Sequence, residues 1–302
     1  VHHMFCDASS LMILARQLHS AYEELHSARL SASHGGGSLK PPFHKICNYA
    51  PGPEYGFYIH SATQACQSAA DLAEKIEHWE KILCPSSEDV FQPLQMRLDY
   101  LSPSSHDAKR PCASIKIEIP AHTALKIRSI ATSRGRTTFS TLIAVWALVL
   151  RYQAHGPRHE REAGKLVDDL VFGTAFDLRG TVGLSTSENI GCFSALLPIR
   201  CSTDTSDGSF QSFADAVHAT CRSAFEHPDV PLLGLIERLN PPRRAGRGNP
   251  LFSTCFSFVS LHENNMVTKK TTSSLSASHL VPTRFHEAAF ELWLGMEMLQ
   301  MR

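Results

Sequence analysis

Residues 2–10 read His2-His3-Met4-Phe5-Cys6-Asp7-Ala8-Ser9-Ser10. Two adjacent imidazoles stand ahead of a carboxylate, with three residues between His3 and Asp7. An imidazole changes charge near neutral pH and can accept or return a proton at a reacting atom. The apolar run before Asp7 reads as the end of a strand, and the residues after it as a helix. On that reading His3 presents one ring nitrogen to a substrate, while Asp7 sits on the turn behind and braces the backbone. A double histidine at a strand end is equally a core feature, so these nine residues alone leave both readings open.

The elements that must hold this segment are legible from periodicity. Ser10 is the expected helix cap, followed by Leu11, Leu14, Leu18, Tyr22 and Leu25 at helical spacing, with the helix ending near Ser31. Gly35-Gly36-Gly37-Ser38 with Pro41-Pro42 marks a loop. A second helix is expected over 64–83, with Ala65, Ala69, Leu72, Ile76, Trp79 and Leu83 on one stripe. Residues 102–111 are rich in Ser, Pro and charge and read as a linker, which divides the chain into a first lobe over 1–108 and a second over 109–302. In the second, 114–120 alternates as a half-buried strand does. Helices follow over 121–134 and 137–151. Strands are expected at 170–174, 189–200, 252–261 and 290–298, and helices at 210–226 and 231–239. Residues 156–166 read as a charged loop, and 263–280 as a Ser/Thr-rich one. Helices and strands mix with no fixed repeat, so the fold class is α/β or α+β.

Composition narrows the function classes. The chain has 302 residues, 43% hydrophobic and 19% charged, which suffices for two core-bearing lobes. Lys+Arg and Asp+Glu balance at 29 each, so charge makes no case for nucleic acid or an anionic membrane. The longest apolar stretch, 139–150, is interrupted by Ser140 and Thr141 and is too short to span a bilayer. Nine cysteines, an odd number with no Cys-x-x-Cys, fit a reducing, cytoplasmic setting. His155 and His159 lie in a polar loop without a third ligand, and no metal site is expected.

Beyond the opening motif, several segments follow one another in a recognisable order. His78-Trp79 lies near the end of the second helix. The run 170–179 reads Leu-Val-Phe-Gly-Thr-Ala-Phe-Asp-Leu-Arg, and 189–200 reads Asn-Ile-Gly-Cys-Phe-Ser-Ala-Leu-Leu-Pro-Ile-Arg. His227-Pro228-Asp229-Val230-Pro231 and Asn249-Pro250-Leu251-Phe252 come later. Together these resemble the condensation domain of nonribosomal peptide synthetases, in the superfamily shared with chloramphenicol acetyltransferase. The opening run is similar to that family's His-His-x-x-x-Asp-Gly-x-Ser, with Ala8 where glycine is usual. Relative to the family, the chain reads as cut at both ends, leaving two chloramphenicol acetyltransferase-like lobes with the first incomplete.

The resemblance implies amide formation between groups carried on phosphopantetheine arms, with donor and acceptor peptidyl carrier proteins and a neighbouring adenylation domain as partners and no cofactor bound directly. It implies that His3 acts on the amine, that His2 and Asp7 shape the loop, and that Asp7 pairs with Arg179. The Ala8 amide, with Ser10 beside it in the turn, is the candidate donor to the oxyanion. Asn249 and Arg244 are candidate contacts to substrate or carrier, Arg244 with Arg243 and Arg247 facing the phosphate of the arm. Two other classes stay open: a silent condensation-like module that docks carriers or partner enzymes, and a stand-alone acyltransferase that uses coenzyme A thioesters.

Overall fold

The computed structural model describes residues 5–33, 68–85, 91, 93–94, 115, 117–155, 169–179, 189–203, 208–242, 249–262 and 292–300. In chain order these form α1 (Ala8–Ser33), α2 (Ala69–Leu83), α3 (Ala121–Ser133), α4 (Thr138–His155), β1 (Asp169–Asp177), β2 (Ser194–Ser202), α5 (Phe210–Glu226), α6 (Leu232–Leu239), β3 (Thr254–His262) and β4 (Leu292–Gln300). The strands make one mixed sheet in the order β2-β1-β3-β4. β1 and β2 form an antiparallel pair, from Asp169 opposite Ser202 to Asp177 opposite Ser194. β3 runs parallel to β1, and β4 parallel to β3. Leu170 to Thr174 of β1 are buried without interruption, the pattern of a strand covered on both faces. Pro198, which has no N–H to give, lies in β2 at the edge of the sheet, where that loss is tolerated.

The core lies between this sheet and α4 and α5. Leu142, Ile143, Trp146, Ala147 and Leu150 of α4 recur at three- and four-residue spacing and are all buried. Phe213, Val217 and Cys221 present the matching stripe of α5. Phe139, Phe225, Phe256 and Phe258 close the cluster, with ring centroids 5.5–6.2 Å apart around Phe139. Backbone approach sets one dimension of this core. A Cβ on Gly173 would lie 2.2 Å from the ring of Phe252, itself fully buried. Glycine at the centre of β1 is therefore the condition for Phe252 to cross that strand.

α2 is fastened to α6 and to the turn before it. Ser68 caps α2 by accepting from the amides of Ala70 and Asp71, and Trp79 and Leu83 are buried. A Cβ at Gly234 would come within 2.7 Å of Ile76 Cδ1, so the helices meet closely there. Lys75 pairs with Asp229, and Arg238 Nε donates to Glu80 at 3.0 Å. The rings of His78 and His227 face each other at 4.0 Å, with His78 Nε2 buried and unpartnered. Arg200 Nη1 donates to the carbonyl of Ile82 at 3.2 Å, and its guanidinium pairs with Asp169, tying the end of α2 to both strands of the hairpin.

Several sequence expectations change here. Residues 114–120 form no strand where they are described. Ile115 and Ile117 are 85% and 80% exposed, because no described strand lies beside them. The strand expected from Asn189 begins only at Ser194, since 189–193 spend their backbone groups elsewhere, as shown below. The apolar stripe of α1 is not a buried one: Leu14, Leu18, Tyr22 and Leu25 are exposed. The second helix starts at Ala69, and the expected 64–67 portion lies outside the described residues, as do the 102–111 linker and the 156–166 and 263–280 loops. Cys6, Cys84, Cys192, Cys201, Cys221 and Cys255 are free thiols. Burial pushes the Cys221 and Cys255 thiols up to about 12, so both are neutral and inert. Among the described residues no helix is long and apolar enough to cross a membrane.

Two outcomes follow from this packing. Gly173→Ala forces the Phe252 ring or β1 to move and should cost about 1–3 kcal/mol, read by urea unfolding. For His78, burial, then the neighbouring His227 and Lys81, hold the imidazole below its ordinary 6.5. The unfolded chain takes up that proton first, so this contribution is complete above 6.5 and declines as pH falls below it. The melting temperature should fall between about pH 7 and pH 5.5, and fall less in His78→Gln.

Candidate active site

The helix that follows the double histidine begins because Asp7 caps it. The Asp7 Oδ1 accepts from the Ser10 amide at 2.8 Å, and the Asp7 carbonyl accepts from Leu11 N at 3.1 Å, closing the first turn. Asp7, rather than the expected Ser10, is thus the cap, because a carboxylate three residues ahead reaches the free amide directly. Ser10 lies inside the first turn, fully buried, and turns its hydroxyl across to the β1–β2 connection. It donates to the Gly191 carbonyl at 2.7 Å and accepts from the Gly191 amide at 3.0 Å and from Arg179 Nη2 at 2.8 Å.

Arg179 follows the end of β1 and meets the other face of Asp7. Its two terminal nitrogens donate to the two carboxylate oxygens, Nη1 to Oδ2 at 2.7 Å and Nη2 to Oδ1 at 2.9 Å. This is the fork geometry that arginine offers and lysine does not. Nη2 also reaches the carbonyls of Asn189 and Gly191 at 3.1 and 3.3 Å. The guanidinium carbon sits 4.4 Å from the centre of the Phe193 ring, a cation–π contact, and the Phe193 amide donates to Asp7 Oδ2 at 2.9 Å. These bonds occupy the backbone of 189–193 and explain why β2 starts late.

Both side chains of the pair are nearly solvent-free, 5% exposed for Asp7 and 7% for Arg179. Burial alone would raise the Asp7 pKa. The bonds from Arg179, from the Ser10 amide and hydroxyl, and from the Phe193 amide outweigh it and hold the carboxyl below its ordinary value. For Arg179, burial works against the charge, and the carboxylates of Asp7 and Asp177 more than restore it. The pair is charged and fully hydrogen-bonded on the carboxylate side, while Arg179 Nε is buried without a partner.

The structure brings together Asp7, Ala8, Ser10 and Arg179. Ala8 is the first residue of α1, exposed, and not among the described residues with positive φ, so its methyl group is accommodated by ordinary helical backbone. His2, His3 and Arg244 lie outside the described residues, and the expected strand end before Asp7 is described only at Phe5 and Cys6, which are not strand. Asn249 is far along the chain, where its Oδ1 accepts from the Leu251 amide at 2.9 Å in the turn leading to β3. Reasoning from sequence passed over Ser9 and Asp177. Ser9 Oγ donates to Asp177 Oδ2 at 2.9 Å, and Asp177 Oδ1 accepts from the Arg179 amide at 2.9 Å and from Nη1 at 3.2 Å. The available signal was the Asp-x-Arg spacing, which places a carboxylate where it can meet the following guanidinium. Among the described residues no group of His, Cys, Asp and Glu is arranged to hold a metal.

A helix-capping aspartate is thus locked by a distant arginine beside a mixed sheet, and comparison with known proteins says which family shares this chain. The family model described as Condensation domain matches residues 1–300, and the chain belongs to that family. It is 28% identical over 258 residues to cyclosporin synthetase of Tolypocladium inflatum, covering 85% of this chain and 2% of that protein. It is 24% identical over 286 residues to the bassianolide nonribosomal cyclodepsipeptide synthetase of Beauveria bassiana, covering 94% of this chain and 8% of that one. The chain therefore spans less than a tenth of the length of these curated relatives. Among solved structures, the condensation domain from the Monacolin K polyketide synthase MokA aligns with a TM-score of 0.57 at 19% identity, over 87% of this chain and 53% of that one. The X-domain from teicoplanin biosynthesis, solved with OxyB, aligns at 0.60 and 19%, over 86% and 50%. These likenesses show a shared α/β fold.

Removing one partner of a buried, bidentate pair leaves the other charge stranded. Asp7→Ala should cost about 3–5 kcal/mol in urea unfolding at neutral pH. Because folding lowers the Asp7 pKa, its stabilisation is complete above 3.8 and lost as pH falls through the folded value. Asp7→Ala should correspondingly flatten the acid limb of the stability curve.

Proposed function

We propose that this chain forms an amide bond between an acyl or aminoacyl group held as a thioester on a donor carrier protein and an amine held on an acceptor carrier protein. The observation that carries this reading is the buried Asp7–Arg179 pair. It fixes the residue four positions after His3 to the β1–β2 hairpin. Membership of the condensation-domain family supplies the chemistry that such an anchor serves.

The step balances as follows. The amine nitrogen's lone pair attacks the thioester carbonyl carbon, forming C–N and moving the carbonyl π electrons onto oxygen. The nitrogen, now positive, gives up a proton to the His3 imidazole. The oxyanion collapses, C–S breaks, and the departing pantetheine thiolate takes that proton. Such a positioned base is worth about 10²–10⁴-fold. Presenting both reactants on tethers removes a further part of the barrier, up to roughly 7–11 kcal/mol for ideal orientation. The Ala8 amide, at the first position of α1, is our candidate donor to the oxyanion, and Ser10 the residue that keeps that turn in place. We assign 1–108 to a first lobe that carries the motif and 109–302 to a second that carries Arg179. An adenylation domain and carrier proteins would complete the module, with pantetheine arms entering as substrate tethers and Arg244 and Asn249 as candidate contacts. The free thiols fit a cytoplasmic setting.

With carriers loaded with donor and acceptor groups, His3→Ala should lower the rate of product formation by about 10²-fold or more while leaving the melting temperature unchanged. Equal turnover by wild type and His3→Ala would overturn the catalytic assignment and favour a docking module. Product formed from a free coenzyme A thioester without a donor carrier would favour a stand-alone acyltransferase.

A further inference from the structure

Asp7 and Arg179 settle where α1 begins, but bonds gathered at one residue leave a helix free to rotate about that point. Two further ties restrain α1, and they come from different faces of its first turn. Ser10 grips the Gly191 peptide from inside. Ser9, one residue earlier, grips Asp177 from outside. Asp177 is the last residue of β1, so this bond connects the first turn of α1 to the end of the central strand.

Asp177 does more than hold Ser9. Its Oδ1 accepts the Arg179 amide and, with Oδ2, faces Nη1 at 3.2 and 3.4 Å. Arg179 Nη1 is thereby shared between two carboxylates, with the shorter bond to Asp7 at 2.7 Å. Its Nε has no partner, so the guanidinium's orientation rests on these carboxylates, on the Ser10 hydroxyl and the Asn189 and Gly191 carbonyls that Nη2 meets, and on the Phe193 face. The side chain of Asp177 is 46% exposed, so its bonds add little to global stability. A half-exposed carboxylate that joins a strand end, a helix turn and a buried cation acts on orientation rather than on folding energy.

We propose that Asp177 is a positioning residue: through Ser9 and Arg179 it sets the angle at which α1's first turn leaves the hairpin, and so the placing of Asp7 and Ala8 at the head of that helix. This rests on the amide-forming reading above. The test uses the full-length domain with loaded carriers and compares wild type, Asp177→Ala, Asp177→Asn, Ser9→Ala and the double variant Ser9→Ala/Asp177→Ala. Asp177→Ala should lower kcat about two- to tenfold, the worth of one or two hydrogen bonds, with KM for the acceptor carrier unchanged and the melting temperature within a degree or two. Asp177→Asn, which keeps an oxygen for the Ser9 hydroxyl, should recover part of that loss. The double variant should be no slower than Asp177→Ala alone, because both substitutions break the same tie. Amide hydrogen exchange at Ser10 and Leu11 should quicken in Asp177→Ala and Ser9→Ala alike. A wild-type kcat in Asp177→Ala, or fully additive losses, would overturn the proposal. If the wild-type domain makes no product, the amide-forming reading falls, and the exchange measurement then decides alone: unchanged protection at Ser10 and Leu11 overturns the positioning role, and faster exchange supports it.

Discussion

The Asp7–Arg179 ion pair is the constraint on which the rest of this site depends. A carboxylate and a guanidinium removed from water are expensive unless every lone pair and proton is matched. Here the matching is done by parts that come from three places. Asp7 receives the Ser10 amide from its own helix, the guanidinium from the end of β1, and the Phe193 amide from the approach to β2. The guanidinium and the Phe193 amide are at hand only once the hairpin and the helix have both formed and met. The pair is therefore better understood as a condition of assembly than as a source of stability.

The sheet supplies the other half of that condition. β1 is the inner strand of the hairpin and the partner of β3, and Phe252 crosses it where Gly173 leaves room. Any shift of β1 along its neighbours would carry Asp177 and Arg179 with it. Arg200 and Asp169, at the far end of the same hairpin, fasten the opposite margin to the end of α2. The hairpin is thus held at both ends and at its centre, which a platform for an anchoring arginine requires.

Much of this was legible in the chain itself. The helices α3 to α6 and all four strands announce themselves by apolar spacing, and β1 by a buried run bounded by charge. The pairing of Asp7 with Arg179 was readable only through the resemblance of the motifs, since no periodicity links residues so far apart. What remained hidden has physical causes. Ile115 and Ile117 alternate like a strand, but a strand needs a neighbour, and alternation says nothing about whether one is there. The segment 189–193 looks extended and apolar, yet its carbonyls and amides are drawn to Arg179, Ser10 and Asp7. Ser10 looks like a cap because serine often is one, and it loses that place to a carboxylate three residues earlier. Asp177 was missed because its meaning lies in the fold: a strand-end carboxylate becomes a brace only when a helix turn arrives beside it.

The span of the central ion pair has a consequence for how the protein comes into being. Asp7 and Arg179 are separated by 172 positions. At roughly 5–20 residues per second, a ribosome needs about 10–35 s to produce the arginine after the aspartate. Throughout that interval the motif carries an uncompensated carboxylate and cannot be set in its final geometry. Closing so long a loop also carries an entropic penalty that the hairpin must already be ordered enough to overcome. The anchoring of α1 is consequently a late event in the biogenesis of this domain, arriving only after the strand that precedes the arginine has found its place.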